Sequence, residues 1–501
     1  MIKKSMAILM VFILFFGFHT PVYALPNEQS LAIQSFLDEA QRISGAPGMS
    51  VSVFAEGEAH FFSSGSGVIS REVKMLSNEE TLWELASVSK AFTALGLLYL
   101  EEQGLLSLSD SIAMHLPWLT LRYQGQPVDM QDVKLYNFMH HTVGITNSRH
   151  PNLVMDRAGP DTMQNTVESL IDAELAFFPG ERMEYGTKNY NVLGLVIESV
   201  SGQKFETFME EQIFLPLGLT QTYAHMDNAE AAGRLAAGHA TSFIFFTQRR
   251  DSPEAAGSVP TGYIITSAKD MARWMEIQMG MAEDIPEIFQ TIIQKSHVAD
   301  KSVEAEESDG LLSHYAAGWF IGAKQPIIKH GGGNPGFSTY IILFPQEQIG
   351  MTLLSNASGV NTHLIVENIK DILDGNLEQS YSMGILQILD IVLTLITGIG
   401  ILLAILFLLL GLRRKKQSQK CPASKKRIAL TAFWFILALA ACILCFGFPR
   451  LLFNASWSFI LTWLPYSFLT GIIVLAILCA SITWFMSSRT ALIPVHNKER
   501  P

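Results

Sequence analysis

Apolar and polar positions divide this chain into three zones. Ala7 to Phe18 is a continuous apolar run, preceded by Lys3 and Lys4 and followed by Val22-Tyr23-Ala24. A charged start, an apolar core and a small-residue end form the pattern of a secretory signal peptide over 1–24, with cleavage expected after Ala24; even if retained as an anchor, it would export the domain behind it. At the other end, 385–501, three apolar stretches at 391–412, 428–448 and 466–486 are each long enough to cross a bilayer as a helix. Between these ends, residues 25–380 mix both kinds of position. A helix is predicted from Glu28 to Ile43, stopped by Gly45 and Pro47, then strands over Met49–Phe54 and His60–Ser64 joined by a turn at Gly57. Leu82 to Lys90 reads as a loop opening into Ala91–Leu100, a helix with no polar face and therefore one destined for the interior.

Composition sharpens this division. Hydrophobic residues make up 49% of the chain and charged residues 16%, values that a soluble domain alone would not show. Residues 25–384 hold 21 Lys and Arg against 44 Asp and Glu, a formal charge of −23 that repels phosphate backbones and excludes nucleic acid as an expected partner. The four cysteines, Cys421, Cys442, Cys445 and Cys479, all fall in the C-terminal zone, so the exported domain uses neither disulfides nor zinc–cysteine sites and must rest on a large core. The loop after the first span carries Arg413, Arg414, Lys415, Lys416, Lys420, Lys425, Lys426 and Arg427. Short basic loops stay in the cytoplasm, which puts the large domain outside and predicts a multi-pass protein of the cell membrane. Asp390 stands at the lip of the first span and the other two spans contain no charge, so no transport pathway is expected.

Ser87 and Lys90 lie three residues apart where the buried helix begins, a spacing that puts both side chains on one face. A serine hydroxyl is a weak nucleophile until a base removes its proton, and a lysine shielded from water, its pKa lowered towards about 7–8, can be that base. Ser201-Gly202-Gln203-Lys204 repeats the Ser-x-x-Lys pattern, but at a glycine break before an amphipathic helix, where a turn and a solvated lysine suffice. Context favours the first copy, because lysine is rarely buried without a partner or a task.

The stretch Leu85-Ala86-Ser87-Val88-Ser89-Lys90-Ala91-Phe92-Thr93-Ala94 resembles the nucleophile segment of the serine beta-lactamase-related family, which includes class C beta-lactamases, low-mass penicillin-binding proteins, D-aminopeptidases and esterases. Further segments occur in the family's order: Leu108-Ser109-Asp110, Phe138 to Ile145, Pro179-Gly180 before Tyr185, Pro216 to Leu219, Ser267 to Ala272, and His330 to Phe337. The resemblance spans roughly 30–375. It implies an α+β fold, an antiparallel sheet built from both ends of the domain and flanked by helices, with a mainly helical region at about 105–260 inserted and the nucleophile at their junction. It implies catalysis by Ser87, Lys90 and Tyr185 through an acyl-enzyme. It further implies substrate contacts from Thr187, where the family usually has asparagine, and from His330, Gly332 and Gly333 of a His-x-Gly motif, with the Gly333 and Ser87 amides as the oxyanion hole. Loss of the asparagine amide pair argues against the usual amide recognition and tilts the reading towards a peptidase or esterase and away from an efficient beta-lactamase.

Neither metal nor organic cofactor is called for. In the pair His140-His141, a capped loop beneath the site is the simpler reading, since no third ligand stands at zinc spacing. Tyr190 is expected in the core, and Glu304 to Asp309 as a solvated loop. The expected partners are membrane lipid and a small-molecule or cell-wall substrate, D-alanyl peptides or esters in particular. The alternative from another class is a receptor that is acylated by, or binds, a wall fragment or penicillin and signals through its spans.

Overall fold

The structure, a computed structural model, describes residues 25–68, 74–150, 162–244, 246–250, 256–416, parts of 429–447, and 457–488. The expected signal segment, 1–24, lies outside the described residues, as does much of the second expected span, 428–448. In chain order the elements that position the site are helix α1 (Asn27–Ser44), strands β1 (Gly48–Ala55), β2 (Glu58–Val68) and β3 (Lys74–Leu76), and helices α2 (Ser89–Glu102), α3 (Asn189–Ser201) and α4 (Ala268–Gln278). Strands β4 (Glu306–Ser308), β5 (Leu311–Tyr315), β6 (Phe320–Gly322), β7 (Ile328–Asn334), β8 (Phe337–Phe344) and β9 (Ile349–Ser355) come next, then helices α5 (Thr362–Leu373), α6 (Ile385–Lys416) and α7 (Tyr466–Ser487).

The nine strands form one sheet in the order β4-β5-β6-β7-β8-β9-β1-β2-β3, with every neighbouring pair antiparallel. Both ends of the domain meet where β1 pairs with β9, Met49 opposite Ser355 and Phe54 opposite Gly350. Successive strand residues face opposite sides of a sheet. Met49, Val51 and Val53 of β1 therefore join Tyr340, Ile342, Met351 and Leu353 on one face, beneath Ile33, Phe36, Leu37 and Ala40 of α1 and Ile365, Ile369 and Ile372 of α5. Phe54, Ile341, Leu343 and Leu354 point the other way, towards Met271, Trp274 and Met275 of α4. With both faces covered, all eight residues of β1 are buried, which is why its sequence shows no alternation.

Helix α1 ends as expected: Gly45 takes φ +71°, a left-handed conformation that glycine adopts without a Cβ penalty, and its amide returns to the Gln41 carbonyl. Helix α2 is buried around nearly its whole circumference, with Phe92 stacked on Trp274 at 4.0 Å and edge-on to Phe214 at 5.7 Å. One expectation is corrected. The acidic run is not wholly a loop, because Glu306–Ser308 forms the edge strand β4; exposed Glu306 and Glu307 there supply the charge that discourages a further strand from pairing.

Two helices, Ile385–Lys416 and Tyr466–Met486, are long and apolar enough to cross a membrane. They run parallel: the Ser467 hydroxyl donates to Asp390, Gly400 lies against Val474, and Gly411 against Trp484.

Candidate active site

Ser87 sits in the 3-10 turn Ala86–Val88 that leads into α2. The turn is strained, since Ala86 takes φ +48°, a conformation costing an L-residue about 1–2 kcal/mol. Its neighbours hold it there. The Leu85 amide donates to the Ile264 carbonyl at 2.8 Å, and the Leu85 carbonyl accepts from Thr339 Oγ1 at 2.7 Å. Thr93 Oγ1 donates to the Pro260 carbonyl at 2.8 Å and Ser89 Oγ accepts from the Ile264 amide at 3.2 Å, so the first turn of α2 is sewn to the segment 260–264.

Lys90 is 0% exposed, yet its ammonium nitrogen reaches Ser87 Oγ at 3.1 Å and donates to the Thr261 carbonyl at 2.6 Å. Burial without an ion-pair partner brings its pKa down from 10.5 to about 7. Nζ also lies 5.2 Å from the ring centre of Tyr185 and 5.8 Å from that of Tyr190. Burial pushes the Tyr185 phenol well above its ordinary range; its hydroxyl makes no ordinary hydrogen bond, although the proximity of Ser87 offsets part of the burial effect. Tyr185 is therefore a protonated phenol at neutral pH.

Beneath Tyr185, His141 packs ring to ring at 4.4 Å, with Nδ1 2.9 Å from Asn189 Nδ2. Desolvation first, then the charge of Lys90, holds its pKa well below the usual value. The pair His140-His141 thus lies under the site, and His140 Nδ1 meets the Tyr315 carbonyl at 3.1 Å. Tyr190 is buried as expected, its hydroxyl donating to the Met139 carbonyl at 2.9 Å. The second Ser-x-x-Lys copy is a helix end: Gly202 closes α3, and exposed Lys204 pairs with Glu198 at 3.6 Å.

On the other flank, β7 brings its glycines against the nucleophile turn. A Cβ on Gly332 would stand 2.3 Å from Thr339 Oγ1 and 2.6 Å from the Leu85 carbonyl oxygen, so no larger residue fits that approach. Gly333 has open space before it and lines the cleft. His330 departs from its expected place at the substrate's polar end. It lies inside β7, 2% exposed, its Nδ1 2.7 Å from the Gly331 carbonyl and its Nε2 3.2 Å from the Tyr315 hydroxyl, and it is not among the cleft residues. Burial, then Lys90, lowers its pKa to about 3, which keeps it uncharged. It shares the strand face of Gly332, but the rings of Tyr185, Tyr315 and Phe320, centred 6.0, 5.9 and 5.3 Å away, cover it.

The cleft in front of Ser87 has a volume of about 470 Å³ and is lined by Tyr185, Thr187, Lys188, Gly333 and, from beyond α6, Trp463. The Thr187 amide donates to Asn147 Oδ1 at 2.9 Å. Sequence reasoning missed several contributors. Asn147, Thr261 and Tyr263 have no spacing signal, since loops from distant parts of the chain carry them to the cleft. Asn334, next to the glycines, ties the walls together by donating at 2.7 Å both to buried Glu84 and to the Gly262 carbonyl. Lys188 carries the one formal charge among the described residues lining the cleft; it is largely buried, and burial lowers its pKa.

A family model described as Beta-lactamase matches residues 33–374. Protein flp of Staphylococcus aureus (strain N315) is 26% identical over 487 residues, covering 95% of this chain and 92% of that protein, so the likeness runs past the catalytic domain into the apolar C-terminal zone. Penicillin-binding protein 4* of Bacillus subtilis (strain 168) is 26% identical over 313 residues, covering 60% of this chain and 66% of that one. Among solved structures, the octameric penicillin-binding protein homologue from Pyrococcus abyssi has the same fold, with a TM-score of 0.59 at 23% identity over 74% of this chain and 81% of that chain. D-alanine carboxypeptidase AmpC from Burkholderia cenocepacia does too, with a TM-score of 0.56 at 22% identity over 70% of this chain and 99% of that chain. Because one matched stretch takes in the nucleophile turn, the Tyr185 loop and the glycine strand that the fold draws together, this chain belongs to the beta-lactamase family.

Proposed function

We propose that this protein is a serine hydrolase held in the cell membrane by three spans, its catalytic domain on the outer face, that cleaves D-alanyl peptides or esters of the cell wall through an acyl-enzyme. The observation that carries this reading is the Lys90 amine, buried and 3.1 Å from Ser87 Oγ with its pKa near 7. A base poised at ambient pH within hydrogen-bond reach of a hydroxyl is what proton abstraction needs. Ser87 Oγ would bond to the substrate carbonyl carbon as its proton passes to Lys90. Tyr185, a neutral phenol beside both groups, would donate a proton to the departing amine or alkoxide and recover one by way of Lys90. Water would then attack the acyl carbon and lose a proton to Lys90, which returns it to Ser87 Oγ as the acyl–oxygen bond breaks and the acid leaves. Gly333 and the Ser87 amide fit the oxyanion-stabilising role, since β7 runs against the nucleophile turn. The cationic Lys188 in a cleft without carboxylates favours a substrate with an anionic group near the scissile carbonyl, such as a D-alanyl terminus.

The parallel course of α6 and α7 supports three spans, for the chain between them must return across the bilayer, and 428–448 is the apolar stretch available. The basic end of α6, Arg413 to Lys416, supports the outer location of the domain at its opposite end. The test is turnover of p-nitrophenyl acetate and of a D-alanyl ester by the purified full-length protein, with intact-mass detection of the acyl adduct. Catalytic turnover abolished by Ser87→Ala is expected; a single stoichiometric burst would favour an acylated receptor, and no adduct at Ser87 would refute the hydrolase.

A further inference from the structure

Trp463 belongs to the short helix Trp457–Trp463 that precedes α7, yet it lines the same cleft as Ser87 and Tyr185. Building on the serine-hydrolase reading, we propose that Trp463 is a substrate-contacting wall delivered by the membrane segment, and that the site takes acyl donors anchored in the lipid surface in preference to the same donors free in solution.

The placement is built. Arg250, itself buried, brackets the tryptophan by donating to the carbonyls on either side, Thr462 at 2.5 Å and Leu464 at 3.2 Å, and its guanidinium lies over the Tyr466 ring at 4.9 Å. Charge-assisted bonds to two carbonyls flanking one residue fix that residue's direction far better than packing alone. A second clamp sits beside it. Asp390, 3% exposed at the outer end of α6, accepts from the amides of Phe243 at 3.0 Å and Ile244 at 2.8 Å and from the Ser467 hydroxyl. The Tyr466 amide donates to Ser242 Oγ at 3.0 Å. The hairpin His239–Ser242 with Phe246–Arg249 is thus fastened to both span ends, and its amide at His239 donates to the Gly336 carbonyl, in the turn just after Gly333 and Asn334. Spans, hairpin and glycine strand form one connected frame.

With α6 and α7 in the bilayer, this frame would meet the lipid surface. Trp463 is three residues from Tyr466, the first residue of α7, so the cleft wall lies within about 10 Å of the span's outer end. Ile244 and Phe246 are 37% and 54% exposed, large apolar side chains on the hairpin that Ser242 ties to Tyr466 at the start of α7. An acyl group presented from the headgroup layer enters such a cleft directly. One carried on a distant soluble chain must be bent down to it.

The experiment uses the full-length protein in phosphatidylglycerol nanodiscs and a pair of fluorogenic D-alanyl esters, identical except that one carries a sixteen-carbon chain. The readout is the ratio of kcat/KM for the anchored ester to that for the free ester, in wild type and in Trp463→Ala, Trp463→Phe and Arg250→Gln. The expected result is a wild-type ratio above about ten, reduced at least fivefold by Trp463→Ala and Arg250→Gln and kept by Trp463→Phe. Since simple partitioning would raise the ratio equally in all four proteins, a ratio unaffected by both Trp463→Ala and Arg250→Gln overturns the proposal, as does a wild-type ratio near one. Should Trp463→Ala fail to fold, Arg250→Gln carries the same test, because it frees the flanking carbonyls without altering the side chain in the cleft. If neither ester is hydrolysed and Ser87 takes up no acyl group, the serine-hydrolase reading itself fails; hydrolysis that depends on Ser87 without preference for the anchored ester sinks the lipid-surface proposal alone.

Discussion

Replacing Lys90 with methionine is expected to stabilise the fold at neutral pH while removing the activity. Folding takes this amine from water, where its pKa is 10.5, to a fully buried position where it is about 7. Each unit corresponds to about 1.4 kcal/mol, so at pH 7 the buried lysine costs on the order of 4 kcal/mol relative to a side chain that never ionises. Proton counting gives the sign. Between about pH 7 and 10.5 the unfolded chain binds more protons at this site than the folded one, so stability rises with pH across that window and the cost is gone above it. Methionine keeps the stem and loses the charge, but it leaves the Thr261 carbonyl without the donor now at 2.6 Å; an unmet buried acceptor costs about 1–3 kcal/mol. The balance is a gain of about 1–3 kcal/mol at pH 7, or a rise in Tm of about 1–4 °C for a domain of this size, turning to a net loss near pH 10.5. The assay is thermal unfolding of wild type and Lys90→Met in detergent at both pH values, alongside the rate of Ser87 acylation by an activated acyl probe. That rate should fall at least about a hundredfold. A variant that is less stable at pH 7 and equally so at pH 10.5, or that acylates at the wild-type rate, refutes the buried neutral base.

Wild-type kcat/KM is expected to climb as pH rises through about 7, the range in which Lys90 loses its proton. In Tyr185→Phe the rate should drop roughly tenfold to a hundredfold with that limb in place; disappearance of the limb would transfer the base role to Tyr185. Lys188→Gln should raise KM for a peptide ending in a D-alanyl carboxylate by about tenfold or more, with a smaller effect on p-nitrophenyl acetate, and equal effects on the two substrates would remove Lys188 from anion recognition. Gly332→Ala places a methyl group 2.3 Å from Thr339 Oγ1 and 2.6 Å from the Leu85 carbonyl oxygen, so acylation should be lost and stability reduced by about 1–3 kcal/mol. Normal acylation by that variant would show that β7 does not need to lie so close.

Much of this protein is decided locally and can be read from residues in order. The apolar runs at 391–412 and 466–486 find their helices, α1 ends where Gly45 permits a left-handed residue, and Ser87 and Lys90 meet because three residues along a helical turn share a face. Such features depend on period and on side-chain chemistry, and those travel with the sequence. The burial that lowers the Lys90 pKa is different, since it requires α3, α4 and the segment 259–263 to close around α2 from positions far apart in the chain. His330 shows the limit most clearly: its motif places it beside a substrate, whereas the rings of Tyr185, Tyr315 and Phe320, brought from other segments, bury it. Asn334, Asn147 and Lys188 acquire their roles only through contacts between loops, where nothing periodic marks them. Trp463, far along the chain from Ser87, reaches the cleft because Arg250 and Asp390 tie the adjoining ends of α6 and α7 to the hairpin 239–249. Sequence alone therefore determined the elements and the reactive pair, through forces acting within a few residues. The surroundings that tune and complete the site were decided by tertiary structure, because desolvation and long-range hydrogen bonds exist only once distant segments have packed.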